Sequence, residues 1–117
     1  MASILVVDDE EDIRFIFTKI LSSKGYSVEA AENCSVALEK FNSKRPDLVI
    51  MDSKLPDMDG LDVTRNIIEI DPDAKIIGAT GYSNLTQAFK DVGAIRVLAK
   101  PFSLEELVNV VSEVLEE

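Results

Sequence analysis

The chain has 117 residues, nearly half of them hydrophobic, a length and composition typical of one domain with a single core. Acidic residues outnumber basic ones by 22 to 12, and the net charge of -10 argues against direct binding to nucleic acid or to an anionic membrane surface. Cys34 is the one cysteine, which excludes an internal disulfide, and no segment resembles a signal peptide or a membrane span, so we expect one cytoplasmic domain over residues 1–117.

Apolar segments with the composition of buried strands alternate along the chain with stretches of helical periodicity. The strands are predicted at 3–7, 27–31, 47–51, 74–79 and 95–99. Apolar residues recur at helical spacing within 13–21, 36–41, 61–68, 85–92 and 104–115. Gly25, Pro46 and Gly93 follow three of these stretches as helix ends, and Ser103 with Glu106 forms a capping box for the last.

This strict alternation predicts an α/β domain in which a parallel sheet is covered by helices on both faces, with right-handed connections. In such sheets the binding crevice lies at the carboxyl ends of the strands, near the point where the strand order reverses. The functional residues are therefore expected at that edge.

Polar residues stand at the ends of four predicted strands. The first strand closes with Asp8 and Asp9, and the third closes with Asp52. The fourth closes with Thr80 and the fifth with Lys100. Because the strands are parallel, these side chains are carried to one edge, where a charged residue can end a buried strand without entering the core.

Each of these residues also has an ordinary structural explanation. Asp8 and Asp9 can cap the helix that follows them, and Asp52 can begin a turn. Thr80 is a common residue at strand ends, and Lys100 can be a solvated lysine before a proline. Such explanations do not account for all four features at the ends of four strands of one sheet, so the combination favours a functional site.

The chemistry of this set indicates a metal and a phosphoryl group. Three carboxylates at close range repel one another unless a cation lies among them, and oxygen ligands suit Mg2+ better than zinc. A carboxylate beside Mg2+ and a lysine can act as a nucleophile towards phosphorus, while a hydroxyl donates a hydrogen bond to a phosphoryl oxygen. The expected product is an aspartyl phosphate.

Four motifs resemble the receiver domain of two-component response regulators: VVDDEED, DLVIMDSKLPDMDG, IIGATGY and VLAKPF. Their order and spacing cover essentially the whole chain, which makes the resemblance highly specific. It implies a flavodoxin-like α/β fold with a five-stranded parallel sheet in the order 2-1-3-4-5 and helices on both faces.

The resemblance also implies a role for each site residue. Asp52 matches the phosphoacceptor, and Asp8 and Asp9 match the acidic pair that binds Mg2+ together with it. Thr80 matches the switch hydroxyl, and Lys100 matches the lysine that contacts the phosphoryl group. A domain of this kind is not an enzyme acting on other molecules, because it catalyses only its own phosphorylation and dephosphorylation.

Further positions are assigned by the same resemblance. Lys54 matches the residue whose backbone carbonyl completes the metal shell, and a cis peptide is implied between Lys100 and Pro101. Val97 stands where many receivers carry an aromatic residue that moves together with the threonine. The usual coupling of the threonine to the output surface through this aromatic residue is therefore in question. Lys54, Tyr82 and the missing aromatic are similar to the single-domain intermediates of sporulation phosphorelays. We expect Tyr82 to shield the phosphoryl group from water and to prolong its lifetime.

By resemblance, the partner is a histidine kinase or a histidine phosphotransfer protein, which donates the phosphoryl group from a phosphohistidine. The chain has no histidine and therefore cannot be that donor. Ile13, beside the acidic pocket, and Phe15, off the apolar stripe of its helix, are expected to contact a helical partner. A monomer is expected, and Val110, off the stripe of the last helix, leaves a dimer open.

Three functions remain open from the sequence. The first is a receiver that acts alone as a relay or diffusible messenger. The second is a receiver that is part of a larger response regulator or hybrid histidine kinase, which the full gene sequence would distinguish. The third is a phosphatase of the haloacid dehalogenase kind, which also uses an aspartyl nucleophile, Mg2+, Thr and Lys. That class carries a second acid two residues after the nucleophile, and Lys54 occupies this position, so the phosphatase ranks far below the receiver.

Overall fold

The computed structural model describes residues 1–116, and its strands and helices alternate along the chain as predicted. The strands are β1 (Ser3–Val7), β2 (Ser27–Ala31), β3 (Leu48–Asp52), β4 (Ile76–Thr80) and β5 (Arg96–Ala99). The helices are α1 (Glu11–Ser23), α2 (Cys34–Lys44), α3 (Gly60–Ile70), α4 (Leu85–Asp91) and α5 (Leu104–Glu116).

The five strands form one parallel sheet in the order β2-β1-β3-β4-β5. The predicted fold class and strand order are therefore confirmed. The chain runs outward from β1 to β2 and then crosses to β3 on the other side of β1. Connections on the two sides of this point lead in opposite directions, which leaves a crevice above β1 and β3.

Helices cover both faces of the sheet, so the three central strands are almost entirely buried and consist of apolar residues up to their last positions. On one face, α2, α3 and α4 pack through Phe41, Ile67 and Phe89. On the other face, α1 and α5 pack through Phe17 and Leu107. This rigid double layer fixes the strand ends on which the polar residues stand.

Strand pairing carries β3 and β4 one residue beyond the apolar segments seen in the sequence. Asp52 pairs with Ala79, and Thr80 pairs with Ala99, so both polar residues belong to the sheet. Both are buried, at 7 and 2 % exposure. Their backbone positions are thus set by the sheet and not by a mobile loop.

The helix boundaries agree with their predicted signals. Gly25 and Gly93 adopt φ of 96° and 113°, the left-handed region that glycine enters without a steric penalty. The Ser103 hydroxyl accepts a hydrogen bond from the Glu106 N–H at 3.0 Å, as its role at the start of α5 requires. In residues 1–116, no helix combines the length and the apolar character that crossing a bilayer demands.

One prediction about α1 is wrong. The periodicity places Ile16 on the buried stripe of the helix, but its side chain is 41 % exposed. Phe17 and Leu21 are the residues of α1 that enter the core, and Ile13 and Ile20 pack at its margin. Ile16 instead lines a surface groove together with Phe102 and Leu104, where no further element of residues 1–116 covers it.

Candidate functional site

The carboxyl ends of β1, β3, β4 and β5 lie along one edge of the sheet, because all the strands are parallel. Asp8 follows β1, Asp52 and Thr80 end β3 and β4, and Lys100 follows β5. The edge opens into a cleft of about 460 Å³ whose lining includes Asp52 and Lys100. The predicted functional residues are therefore brought to one place.

Asp8, Asp9 and Asp52 form an acidic cluster in which one carboxylate oxygen of each residue lies within 4.8 Å of the others. Asp8 and Asp52 are buried, whereas Asp9 is exposed at the mouth of the cleft. All the ligand atoms of this set are oxygens, which a hard cation such as Mg2+ prefers. The acidic cluster therefore fits the predicted metal.

The backbone around Asp8 is held by three contacts. The Asp8 N–H donates to the Ala31 carbonyl at 3.1 Å, and a guanidinium nitrogen of Arg14 donates to the Asp8 carbonyl at 2.8 Å. The Asp8 carboxylate accepts a hydrogen bond from the Glu10 N–H at 2.9 Å. The Glu10 N–H occupies one carboxylate oxygen of Asp8, and the other oxygen lies towards the Lys100 ammonium.

Burial raises the pKa of Asp8 from 3.8 to about 6, because desolvation disfavours its ionised form. The Glu10 N–H opposes this shift, and the charge of Asp52 adds to it. A carboxylate that is costly to ionise within the apo protein is stabilised when a divalent cation binds beside it.

Lys100 extends into the acidic cluster from the end of β5. Its ammonium lies 2.5 Å from an oxygen of Asp52 and 3.9 Å from one of Asp8. Burial acts to lower the pKa of Lys100, but the hydrogen bond and charge of Asp52 outweigh it and the pKa is raised. The peptide bond between Lys100 and Pro101 is cis, as the sequence resemblance implied. Lys100 is therefore a fixed positive charge beside the buried carboxylates.

Thr80 lies at the same edge, and its hydroxyl accepts a hydrogen bond from the Tyr82 N–H at 3.1 Å. This contact folds the chain after β4 so that the Tyr82 side chain lies over the cleft, with 47 % of its surface exposed. The Lys54 ammonium lies 4.4 Å from the centre of the Tyr82 ring, a cation–π distance. Lys54 and Tyr82 thus form one side of the mouth of the cleft.

The loop between β3 and α3, residues 53–59, carries Lys54, which lines the cleft together with Asp9 and Asp52. Lys54 forms a backbone bridge with Asp59, and the Gly60 N–H donates to the Ser53 carbonyl at 2.9 Å. A Cβ atom at Gly60 would overlap the carbonyl oxygen of Asp52, so only glycine permits this return of the chain. The base of the loop is therefore tightly closed against the end of β3.

An apolar groove of about 580 Å³ lies between α1 and the segment that follows β5. Its lining includes Ile13, Ile16, Phe102 and Leu104. Ile13 is half-buried and also packs against the core, and its predicted contact with a partner stays a prediction. Phe15 is 64 % exposed, and the Lys19 ammonium lies 5.5 Å from its ring.

Val97 and Val110 have packing roles. Val97 pairs with Gly78 in the sheet and packs partly buried against the core on the α3 and α4 side. Phe89 from α4 lies so close to Gly78 that a Cβ atom there would be 2.6 Å from its ring. Val110 is half-buried and packs against the core on the α5 side, so little of it is available to a partner.

Sequence reasoning did not identify Glu10, Arg14 or Asp57. Glu10 borders the cleft, and Arg14 binds the backbone of Asp8. The Asp57 carboxylate accepts hydrogen bonds from the N–H groups of the first two residues of α2. Glu10 and Arg14 contact Asp8 from two and six residues away, but nothing in the local pattern marks these contacts. The contact of Asp57 joins loops that are distant in the chain, so it follows only from the fold.

The chain belongs to the response regulator receiver domain family, whose model matches residues 4–112. Members of this family are signalling modules of two-component pathways, and those of phosphorelays interact with histidine kinases or phosphotransfer proteins. The fold and the acidic cluster described above are those of a receiver domain with an acidic pocket for Mg2+.

Among curated proteins, the chain is 36 % identical to sporulation initiation phosphotransferase F of Bacillus subtilis, over 96 % of this chain and 92 % of that one. It is 42 % identical to the response regulator MprA of Mycolicibacterium vanbaalenii, over 89 % of this chain but only 46 % of that protein, so it spans about half of that relative. Among solved structures, the response regulator TrrA of Thermotoga maritima in complex with Mg2+-BeF superposes with a TM-score of 0.90, at 39 % identity over 97 % of this chain and 99 % of that one.

Proposed function

We propose that this receiver accepts a phosphoryl group on Asp52 from a phosphohistidine of a partner protein, with Mg2+, and passes it on or signals through a change of conformation. The observation that carries this proposal is the position of the Asp52 carboxylate, between two further carboxylates and 2.5 Å from the Lys100 ammonium. The complex of TrrA with Mg2+-BeF and the phosphotransferase relative support the same chemistry here.

The reaction is a transfer between two nucleophiles. An oxygen of Asp52 attacks phosphorus, the bond between phosphorus and the histidine nitrogen breaks, and that nitrogen keeps the electron pair and takes a proton from solvent. The attacking and leaving atoms lie in line, so the donor must approach from the open side of the cleft. The partner's phosphohistidine therefore has to reach past the exposed side chains of Lys54 and Tyr82.

Asp8, Asp9, Asp52 and the Lys54 backbone carbonyl would hold Mg2+, which offsets the negative charge of the transferred oxygens when it is bound. Lys100 now pairs with Asp52, and after transfer its ammonium would contact a phosphoryl oxygen. The Thr80 hydroxyl, which now accepts from the Tyr82 N–H, would donate to another such oxygen. These new contacts of Lys100 and Thr80 with the phosphoryl oxygens would bias the receiver towards its signalling conformation.

The test is an intact-mass time course with acetyl phosphate as donor, in the presence of Mg2+ or of a chelator. One phosphoryl adduct should form with Mg2+, and formation should be at least about a hundredfold slower without it, as expected for a cation that neutralises transition-state charge. An equal rate in the chelator would contradict the proposed role of the metal.

Tyr82 is proposed to set the lifetime of the phosphoryl group, because its ring and Lys54 border the open side of the cleft. Tyr82→Ala should accelerate hydrolysis by about threefold to tenfold, which corresponds to about 1 kcal/mol of activation free energy. Tyr82→Phe keeps the ring and should retain the slow rate. Decay of the purified phosphoprotein, followed by mass, measures both variants, and an unchanged rate in Tyr82→Ala would contradict shielding.

Ile13 and Phe15 are proposed to contact the helices of the phosphohistidine partner, because Ile13 lines an apolar groove that adjoins the cleft and Phe15 exposes its ring on the same helix. Phe15→Ala should slow transfer from the phosphorylated partner by about tenfold, the effect of losing one exposed aromatic anchor. Labelling by acetyl phosphate should be unchanged. Ile70→Ala, at an exposed site on α3, is the matched control, and an equal loss in both variants would contradict a specific surface.

A receiver within a longer regulator or hybrid kinase remains the second candidate, and it is favoured by the match to only 46 % of MprA. The gene that encodes the chain separates this candidate from a receiver that acts alone. The phosphatase alternative gains no support from the family match.

A further inference from the structure

Asp57 forms a bridge between two loops that are distant in the sequence. Its carboxylate accepts hydrogen bonds from the N–H groups of Cys34 at 2.8 Å and Ser35 at 3.1 Å. These are the first two residues of α2, whose N–H groups have no partner within the helix. The bond from Cys34 is the main reason that the pKa of Asp57 is lowered.

The segment at the start of α2 that binds the Asp57 carboxylate also binds the backbone of Asp8. The Ala31 carbonyl, at the end of β2, accepts the Asp8 N–H at 3.1 Å. We call residues 31–35 the β2–α2 junction. One end of this junction therefore contacts the loop of the acidic pair, and its other end contacts the loop that carries Lys54.

The tip of the β3–α3 loop lacks the backbone closure that holds its base. The base is closed by the Lys54–Asp59 bridge, whereas Asp57 and Met58 reach the β2–α2 junction through their side chains. The Met58 sulfur lies 3.4 Å from the Cys34 sulfur. The two contacts together hold the tip against the start of α2.

We propose that Asp57 is a positioning residue for the metal site: it ties the β3–α3 loop, which carries Lys54, to the β2–α2 junction that binds the Asp8 backbone, and so fixes the two sides of the acidic cluster relative to each other. This inference rests on the proposed binding of Mg2+ at that cluster. Residues that orient metal ligands typically change metal affinity when they are removed, although they never touch the metal. Asp57 is predicted to act in this way through the backbone.

The test compares Asp57→Ala with Asn33→Ala. The Asn33 side chain accepts from the Val36 N–H at 2.9 Å and so caps the same helix without contacting the β3–α3 loop. Both variants lose one cap of α2, but only Asp57→Ala releases the loop. Mg2+ titration without a phosphodonor, followed by amide chemical shifts, should show about tenfold weaker binding for Asp57→Ala and native affinity for Asn33→Ala.

Two further readouts complete the design. Asp57→Asn keeps one acceptor oxygen and should bind Mg2+ with intermediate affinity. Cys34, which is buried under the loop, should react faster with a thiol reagent in Asp57→Ala than in Asn33→Ala, and this readout needs no metal. Equal Mg2+ affinity of Asp57→Ala and the native protein, or equal losses in both alanine variants, would overturn the inference. Absence of Mg2+ binding by the native protein would instead overturn the proposed function.

Discussion

Asp52→Asn is expected to abolish the phosphoryl adduct that forms with acetyl phosphate and Mg2+. The amide has nearly the shape of the carboxylate, but its oxygen carries no charge and is a poor nucleophile towards phosphorus. The substitution also removes the negative charge that Asp52 contributes to the acidic cluster and to its ion pair with the Lys100 ammonium. Intact-mass spectrometry measures the result directly.

Asp47→Asn is the matched control for this experiment. Asp47 lies just before β3, at the opposite end of the strand from Asp52, and its carboxylate accepts from the Ser3 N–H at 2.8 Å. The same chemical change there should leave labelling intact. An adduct on Asp52→Asn, or its loss in Asp47→Asn, would contradict the role assigned to Asp52.

Asp8→Asn is expected to change activity and stability in opposite directions. It removes a ligand of the proposed Mg2+ site, so labelling with acetyl phosphate should fall by about a hundredfold. It also removes a buried carboxylate that is close to two like charges, so the apo protein should become more stable. Urea unfolding without Mg2+ should show a gain of about 1 to 3 kcal/mol at neutral pH, as a pKa difference of this size implies.

The stability gain should depend on pH in a defined direction. The pKa of Asp8 is raised from its ordinary value of 3.8 to about 6 in the folded protein, so the folded state binds the proton more tightly. Ionised Asp8 therefore destabilises the fold above pH 6, and this penalty disappears as the pH falls through 3.8. The difference between Asp8→Asn and the native protein should be largest above pH 6 and should vanish only when the pH falls well below 3.8. A difference that does not vary with pH would contradict this explanation.

The architecture could be predicted from local patterns because each pattern agrees with the final fold. Continuous apolar segments such as 48–51 are explained by burial on both faces of the sheet, and Gly25 and Gly93 mark helix ends that require positive φ. The strand order followed from the motif resemblance and was confirmed by the pairing. The periodicity alone did not determine it.

The site was predicted in part. Asp8, Asp52 and Lys100 stand at strand ends, and a parallel sheet necessarily carries such residues to one edge. The exposure of Ile16 could not be predicted, because helical spacing does not reveal which neighbouring elements cover each side of a helix. The contact of Asp57 with α2 joins residues 23 and 22 positions apart and follows only from the folded loops.

The central claim is that the phosphoryl group resides on one carboxylate, and the most direct measurement locates it. An acyl phosphate is reduced by borohydride to an alcohol, so a phosphorylated aspartate becomes homoserine, which tandem mass spectrometry can assign to a position. We predict homoserine at position 52 in protein labelled with Mg2+ and acetyl phosphate, and none in unlabelled protein. Homoserine at position 8 or 9, or a phosphoryl group retained on Ser53 or Thr80 after reduction, would contradict the account.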